Sequence, residues 1–173
     1  MIKVIDNYVP DSLMDYLVFL LEKSQGWRTG TKSNQESNYV GDMGMILKSM
    51  SVFEDDADTL HNSDHEILNS FASYILFSLY RDGHLNVDSA ELLRVYWNRY
   101  GSFCMCDPHK DSPEEGMYSI LVQLTNGGMN IFDGKELDTQ KGRIVIFNSN
   151  IEHSAHTDKI DLPRYTLNMI YRG

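Results

Sequence analysis

Apolar positions follow two different periods along this chain. Ile2, Val4 and Ile5 interleave with Lys3 and Asp6 over Ile2-Lys3-Val4-Ile5-Asp6-Asn7-Tyr8, a spacing that predicts a short strand, stopped by Pro10-Asp11. From Ser12 to Lys23, Leu13, Leu17, Leu20 and Leu21, flanked by Met14 and Val18, recur at helical spacing and predict an amphipathic helix. Between Ser24 and Ser63 the residues turn to Gly, Ser, Asn and Asp, with an acidic run Glu54-Asp55-Asp56. This reads as loop, with room for one strand in the apolar island Met43 to Phe53. Asp64 is a good N-cap, and Ile67, Leu68, Phe71, Ile75, Leu76 and Leu79 then predict a second helix ending near Asp82-Gly83. Beyond Asn86 the period shortens. Strands are expected over Glu91 to Tyr100, Tyr118 to Thr125, Met129 to Phe132, Arg143 to Phe147 and Arg164 to Tyr171, divided by turns such as Asn126-Gly127-Gly128 and Asp133-Gly134. Helices first and strands after point to an α+β domain with a mainly antiparallel sheet in a sandwich or barrel.

With 173 residues, 42% of them hydrophobic, the chain makes one domain, residues 1–173, with no room for a second catalytic unit. Fifteen Lys and Arg against twenty-five Asp and Glu give a formal charge of −10, a field that repels phosphate backbones and anionic lipid heads, so neither nucleic acid nor membrane is an expected partner. No stretch approaches the ~18 apolar residues of a membrane span, and the first ten residues lack a signal-peptide pattern, so a cytoplasmic location is expected. The two cysteines, Cys104 and Cys106, are too close in sequence for an unstrained disulfide, which agrees with a reducing compartment.

His109-Lys110-Asp111 places an imidazole and a carboxylate on one face of an extended backbone. Six His and twenty-five acidic residues make about one such match expected by chance, and His156-Thr157-Asp158 is a second. Only the first is followed by a further histidine beyond a strand, His153, forty-two residues after Asp111. His109, Asp111 and His153 can thus assemble a two-histidine, one-carboxylate set, which suits Fe(II) because three coordination positions stay open for a co-substrate and dioxygen. Arg164 opens the last strand, where Arg164, Thr166, Asn168 and Ile170 share one face and Tyr165, Leu167, Met169 and Tyr171 the other. A guanidinium with a hydroxyl beside it is a carboxylate clamp, although an arginine closing a structural ion pair would look the same.

These stretches together resemble the Fe(II)- and 2-oxoglutarate-dependent dioxygenases, in particular their prolyl 4-hydroxylase-like branch. The resemblance is carried by Asn98-Arg99-Tyr100-Gly101, Pro108-His109-Lys110-Asp111-Ser112, Gly127-Gly128-Met129-Asn130-Ile131-Phe132, and Gly142-Arg143-Ile144-Val145-Ile146-Phe147-Asn148-Ser149 with His153 six residues after the Phe. Arg164-Tyr165-Thr166 and the opening Val4-Ile5-Asp6-Asn7-Tyr8-Val9-Pro10 add to it. It implies a double-stranded β-helix, or jelly-roll, buttressed by the amino-terminal helices. It also implies His109, Asp111 and His153 as iron ligands, Arg164 as partner of the distal carboxylate of 2-oxoglutarate, Thr166 in support of that carboxylate, and Tyr100 as a co-substrate contact, with Tyr96 the alternative. The chain departs from the branch in lacking a proline between Tyr100 and Gly101, and in carrying Cys104-Met105-Cys106 on the approach to the site.

The implied reaction couples decarboxylation of 2-oxoglutarate by O2, giving succinate and CO2, to hydroxylation of an unactivated C–H, with ascorbate as a supporting reductant. An aspartate at 111, rather than a small residue that would admit halide, implies hydroxylation. A peptidyl proline is the expected target, and the acidic surface favours a basic peptide or protein. Free amino acids or other small molecules are the alternative within the same reaction. A non-catalytic jelly-roll binding a metabolite or protein, or a zinc or other-metal cupin-like enzyme, is the alternative outside it. Among the remaining candidates, His156 falls on the face opposite His153. His61, His65 and His84 read as solvated, and the two cysteines lack the second pair of a zinc motif. Trp97, Phe132, Phe147 and Tyr165 read as core, whereas Trp27, in the polar stretch, reads as part of a substrate-covering flap.

Overall fold

A computed structural model describes residues 1–29, 44–52, 63–85 and 91–173. In chain order the elements are β1 (Ile2–Ile5), α1 (Asp11–Lys23), β2 (Arg28–Thr29), β3 (Met45–Ser51), α2 (Ser63–Arg81), β4 (Glu91–Tyr100), β5 (Met117–Gln123), β6 (Met129–Phe132), β7 (Lys135–Asp138), β8 (Ile144–Asn148), β9 (His153–His156) and β10 (Arg164–Arg172). Pro10, with ψ 140°, is extended and lacks the N–H that would continue β1, so α1 starts immediately after it with Asp11 at its positive end. Ser24 closes the helix, its N–H and its hydroxyl both bonding the Leu20 carbonyl at 2.9 Å.

The strands form two antiparallel sheets. A seven-stranded sheet runs β1-β8-β5-β10-β4-β3-β2 and a three-stranded one β7-β6-β9. They face each other as the two walls of a jelly-roll and do not close into a barrel. The alternation expected along the last strand is realised. Tyr165, Leu167, Met169 and Tyr171 pack with Met14, Leu17 and Leu21 of α1 and Leu68, Ile75 and Leu79 of α2, so the helices cover one face of the large sheet. Ile170 packs on the other face, in a cluster with Ile46, Tyr96, Tyr100, Cys106 and Ala155, and Leu121, Val145 and Phe147 meet Phe132 of the small sheet. The cleft between the sheets therefore receives Arg164 and Asn168 from β10.

Three strands escaped the sequence pattern. β2 is two residues at the sheet edge, β7 is polar and mostly exposed on both faces, and β9 reads His-Ser-Ala-His. Each is extended because a neighbour pairs with it. β7 follows β6 through the two-residue turn Asp133-Gly134, both at positive φ (46° and 75°), with Phe132 opposite Lys135. Trp27 corrects another expectation: its indole donates to the Leu21 carbonyl at 3.0 Å and meets Tyr165 edge-on at 6.2 Å, on the helix side of the large sheet. It anchors the exit of α1 and is no flap over the cleft. His65 is buried at 3% exposure in α2, against the expectation of a solvated residue, while His84 is half-buried with its ring edge-on to Tyr8. His61, and the proposal that the polar stretch covers the site, fall on 30–43 and 53–62, outside the described residues. Among the described residues no helix is long and apolar enough to cross a membrane.

Gly128 opens β6 at φ +81°, and a Cβ there would collide with the His156 carbonyl oxygen. Gly128→Ala is expected to cost about 2–4 kcal/mol in a denaturant melt, from a left-handed backbone and a clash that pushes β9 from β6. A loss below about 0.5 kcal/mol would show that the two strands separate there without penalty.

Candidate metal and anion site

His109 and His153 meet because the segment after β4 runs antiparallel to β9. Cys106 N–H bonds the Ala155 carbonyl at 2.9 Å, and His109 and His153 exchange both backbone bonds, at 3.0 and 2.9 Å. That pairing sets the imidazole centroids 4.4 Å apart. Asp111, two residues on, turns its carboxylate between them, with Oδ1 3.9 Å from His109 Nε2 and Oδ2 3.6 Å from His153 Nε2. Each residue offers one ligand atom, and the three atoms lie within 4.8 Å of one another. Among the described residues no other such group of His, Cys, Asp or Glu occurs.

The surroundings orient this group. Each His Nδ1 faces a backbone carbonyl at 3.0 Å, Asp107 for His109 and Ile151 for His153. A carbonyl only accepts, so Nδ1 is the donor nitrogen of each ring and Nε2 is the one left to face a metal. His153 is wedged between Phe147 and Phe132, with centroids at 4.8 and 6.0 Å, so two aromatics expected as core also hold a ligand ring. The Asp111 carboxylate accepts from both sides, Oδ2 from the Ser119 hydroxyl at 2.6 Å and Oδ1 from the Tyr96 hydroxyl at 3.3 Å. Ser119 is in turn 2.9 Å from Ser149 Oγ. Burial, and then the Asp111 charge, hold the Tyr96 phenol well above its usual range, so it stays a protonated donor. Ser119→Ala is expected to weaken metal affinity about 10–100-fold by freeing the carboxylate, as measured by competition with a metal chelator. Unchanged affinity would mean that Tyr96 alone fixes it.

From this group a cleft runs between the sheets. Strand register places Tyr96 opposite Asn168, then Asn98 opposite Thr166, then Tyr100 opposite Arg164. Arg164 is fully buried, with its guanidinium 5.2 Å from the Tyr100 ring centroid. Nη1 donates to the carbonyls of Met129 (3.2 Å) and His156 (3.4 Å), and Nη2 to Asn130 Oδ1 (2.7 Å), an oxygen that Gln123 also engages at 3.2 Å. Nε has no hydrogen-bond partner, and neither does either polar atom of the buried Asn98 amide. No carboxylate among the described residues acts on the guanidinium, and burial lowers its pKa. The cleft is tight, its free volume of about 30 Å³ holding roughly one water.

Of the other residues singled out in the sequence, Tyr100 lies against Arg164 and Tyr96 against Asp111, so both line the cleft, at opposite ends. Thr166 does not line it. Its buried hydroxyl is 3.5 Å from Asn168 Nδ2, and Asn98, Asn130 and Asn168 form the polar wall in its place. His156 faces away from the cleft with Nε2 3.4 Å from Ser154 Oγ, on the outer side of the small sheet. Asn98, Asn130 and Ser119 were not foreseen as site residues, whereas Cys106 lies on the approach where the sequence placed it. Asn98 had a signal, as a polar residue alternating with Tyr96 and Tyr100 on one face of β4.

No protein-family profile and no curated protein sequence matches the chain. Solved structures do. A Burkholderia pseudomallei oxidoreductase of the 2OG-Fe(II) oxygenase family superposes with a TM-score of 0.70 at 15% identity, over 99% of this chain and 84% of that one. The α-ketoglutarate-dependent epimerase of nogalamycin biosynthesis gives 0.67 at 13%, over 98% and 76%. A Trichoplax adhaerens prolyl hydroxylase, solved with a hypoxia-inducible-factor peptide, gives 0.64 at 16%, over 99% and 83%. Along nearly its whole length the chain thus has the jelly-roll fold of the 2-oxoglutarate- and Fe(II)-dependent oxygenases, prolyl hydroxylases among them.

Proposed function

We propose that the chain is an Fe(II)- and 2-oxoglutarate-dependent oxygenase that hydroxylates an unactivated C–H, with a peptidyl proline as the target. The observation that carries this reading is Arg164, a buried guanidinium with an unpartnered Nε and no carboxylate counter-charge among the described residues, in the cleft that His109 and His153 also line. A buried charge without a counter-ion is costly, and an anionic guest removes that cost. The span supports a short dicarboxylate. Arg164 bonds the carbonyls of Met129 and His156, an opposed pair of β6 and β9, and His153 lies three residues further along β9, about 10 Å away.

In this reading His109, Asp111 and His153 hold Fe(II), and Arg164, with Tyr100 beside it, holds the distal carboxylate. Tyr100 stays protonated because burial raises its pKa well above the usual range, so it can donate to that carboxylate. Asn130 and Gln123 fix the guanidinium, while Ser119 and Tyr96 fix Asp111. The bound iron and its co-substrate supply the oxidising power, as 2-oxoglutarate is decarboxylated to succinate and CO2 by dioxygen. Two features support a peptide as the second substrate. The net charge of −10 favours basic partners, and one structural neighbour was solved with a peptide bound.

The test is succinate formation from 2-oxoglutarate in air with Fe(II) and ascorbate, with and without a panel of proline-containing peptides, basic ones included. Iron-dependent succinate that rises with one peptide, with one oxygen gained on its proline, is expected. Succinate that rises only with a free amino acid or another small molecule would keep the oxygenase and overturn the peptide. Iron-loaded protein that binds 2-oxoglutarate but turns over with nothing would favour a binding module, and turnover without 2-oxoglutarate would favour another metal enzyme.

A further inference from the structure

The two cysteines differ in placement. Cys104 is half-buried, while Cys106 is 2% exposed, held opposite Ala155 and packed with Tyr96 and Tyr100. Cys106 lines the cleft that ends at Arg164. It also lines a wider, more open groove of about 360 Å³, beside Pro108, Ile131, Glu152 and the ligand His153. The residue is thus part of the wall between the cleft and the exterior. A thiol by itself designates nothing. This one lines a cleft, with room for roughly one water, whose wall also carries unmatched polar groups on completely buried side chains, Arg164 Nε and both polar atoms of Asn98.

We propose that Cys106 is an oxidant-sensitive modification site, and that its oxidised form fills the anion subsite beside Arg164 and shuts out the co-substrate. The proposal rests on the reading of this cleft as the 2-oxoglutarate site. The oxidant is a hydroperoxide such as hydrogen peroxide. The sulfur attacks one peroxide oxygen, an S–O bond forms and the O–O bond breaks. Sulfur loses two electrons to become a sulfenic acid, and the other oxygen leaves as water with the thiol proton. A second equivalent gives the sulfinic acid, which ionises to sulfinate. Its oxygens accept from Arg164 Nε and Asn98 Nδ2, and its charge neutralises the buried guanidinium. One or two added oxygens also consume most of the space in so tight a cleft. Cys104, which packs behind the same cluster without lining the cleft, serves as the comparison.

The experiment uses protein loaded with Zn(II), which does not react with peroxide. Affinity for 2-oxoglutarate is measured by calorimetry before and after hydrogen peroxide treatment and quenching, with the modified residue located by peptide mass spectrometry. Wild type and Cys104→Ser are expected to gain oxygen on Cys106 and to lose at least about tenfold in affinity. Cys106→Ser, compared with its own untreated sample, should change less than about twofold, and 2-oxoglutarate present during treatment should protect Cys106. Oxygen on Cys106 without loss of affinity, an equal loss in Cys106→Ser, or oxidation confined to Cys104 would each overturn the proposal. Untreated wild type that binds no 2-oxoglutarate would overturn the functional reading beneath it as well, which separates the two failures.

Discussion

Asp111→Ala is expected to lower iron-dependent turnover by at least about 10³-fold and to abolish stoichiometric iron binding, with the fold retained. Asp111 supplies the only formal negative charge among the three ligand atoms, between two imidazoles whose Nδ1 faces the Asp107 and Ile151 carbonyls and whose Nε2 faces the carboxylate. Without it, a divalent ion meets two neutral donors and too few fixed positions to be retained against solvent. The fold should survive because the side chain belongs to none of the three apolar clusters, and its loss frees only the Ser119 and Tyr96 hydroxyls. Metal analysis after dialysis, beside a thermal melt without metal, checks both halves. Asp111→Asn keeps the shape and loses the charge, and should fall close to the alanine variant. If Asp111→Ala kept a full complement of iron, the His-Asp-His assignment would be wrong.

What could be read from the sequence depended on where the determining contacts lie. β4 and β6 fall where their β-rich runs place them, β4 because both its faces are buried, Val95 and Trp97 against the helices and Tyr96 and Tyr100 in the cleft, and β6 because Phe132 packs inward. β7 and β9 had no such pattern. β7 is extended because Asp133-Gly134 folds it onto β6, and β9 because it is held between β6 and the segment carrying His109. The ligand set was legible because chemistry restricts metal donors to a few residue types at short spacing. Its supports were not. A serine at 119 or an asparagine at 130 is ordinary within a strand, and only the approach of the two sheets turns one toward Asp111 and the other toward Arg164. Same-face periodicity puts Thr166 on the Arg164 and Asn168 face of β10, where its hydroxyl is buried 3.5 Å from Asn168 Nδ2, since periodicity gives a face and not a depth.

Arg164→Met is expected to separate function from stability. Affinity for 2-oxoglutarate should fall about 10²–10³-fold, in line with the ~2–5 kcal/mol seen when one member of a buried, hydrogen-bonded charge pair is truncated. The fold should change by less than about 2 kcal/mol in either direction. On one side, three hydrogen bonds are lost, to Met129, His156 and Asn130, at ~1 kcal/mol each. On the other, a guanidinium that no carboxylate neutralises no longer has to be desolvated, and the methionine fills most of its volume. Arg164→Lys keeps the charge without the planar fork, and its compact ammonium cannot span Met129, His156 and Asn130 together, so it should recover only part of the affinity. Calorimetric titration and the rise of Tm with 2-oxoglutarate read both effects, since a ligand raises Tm only if the folded state binds it. Succinate shares the distal carboxylate and lacks the keto acid, so its affinity should fall by a similar factor in Arg164→Met. A variant that lost 2-oxoglutarate and kept succinate would place Arg164 at the keto-acid end, beside the metal, and reverse the orientation assigned to the co-substrate.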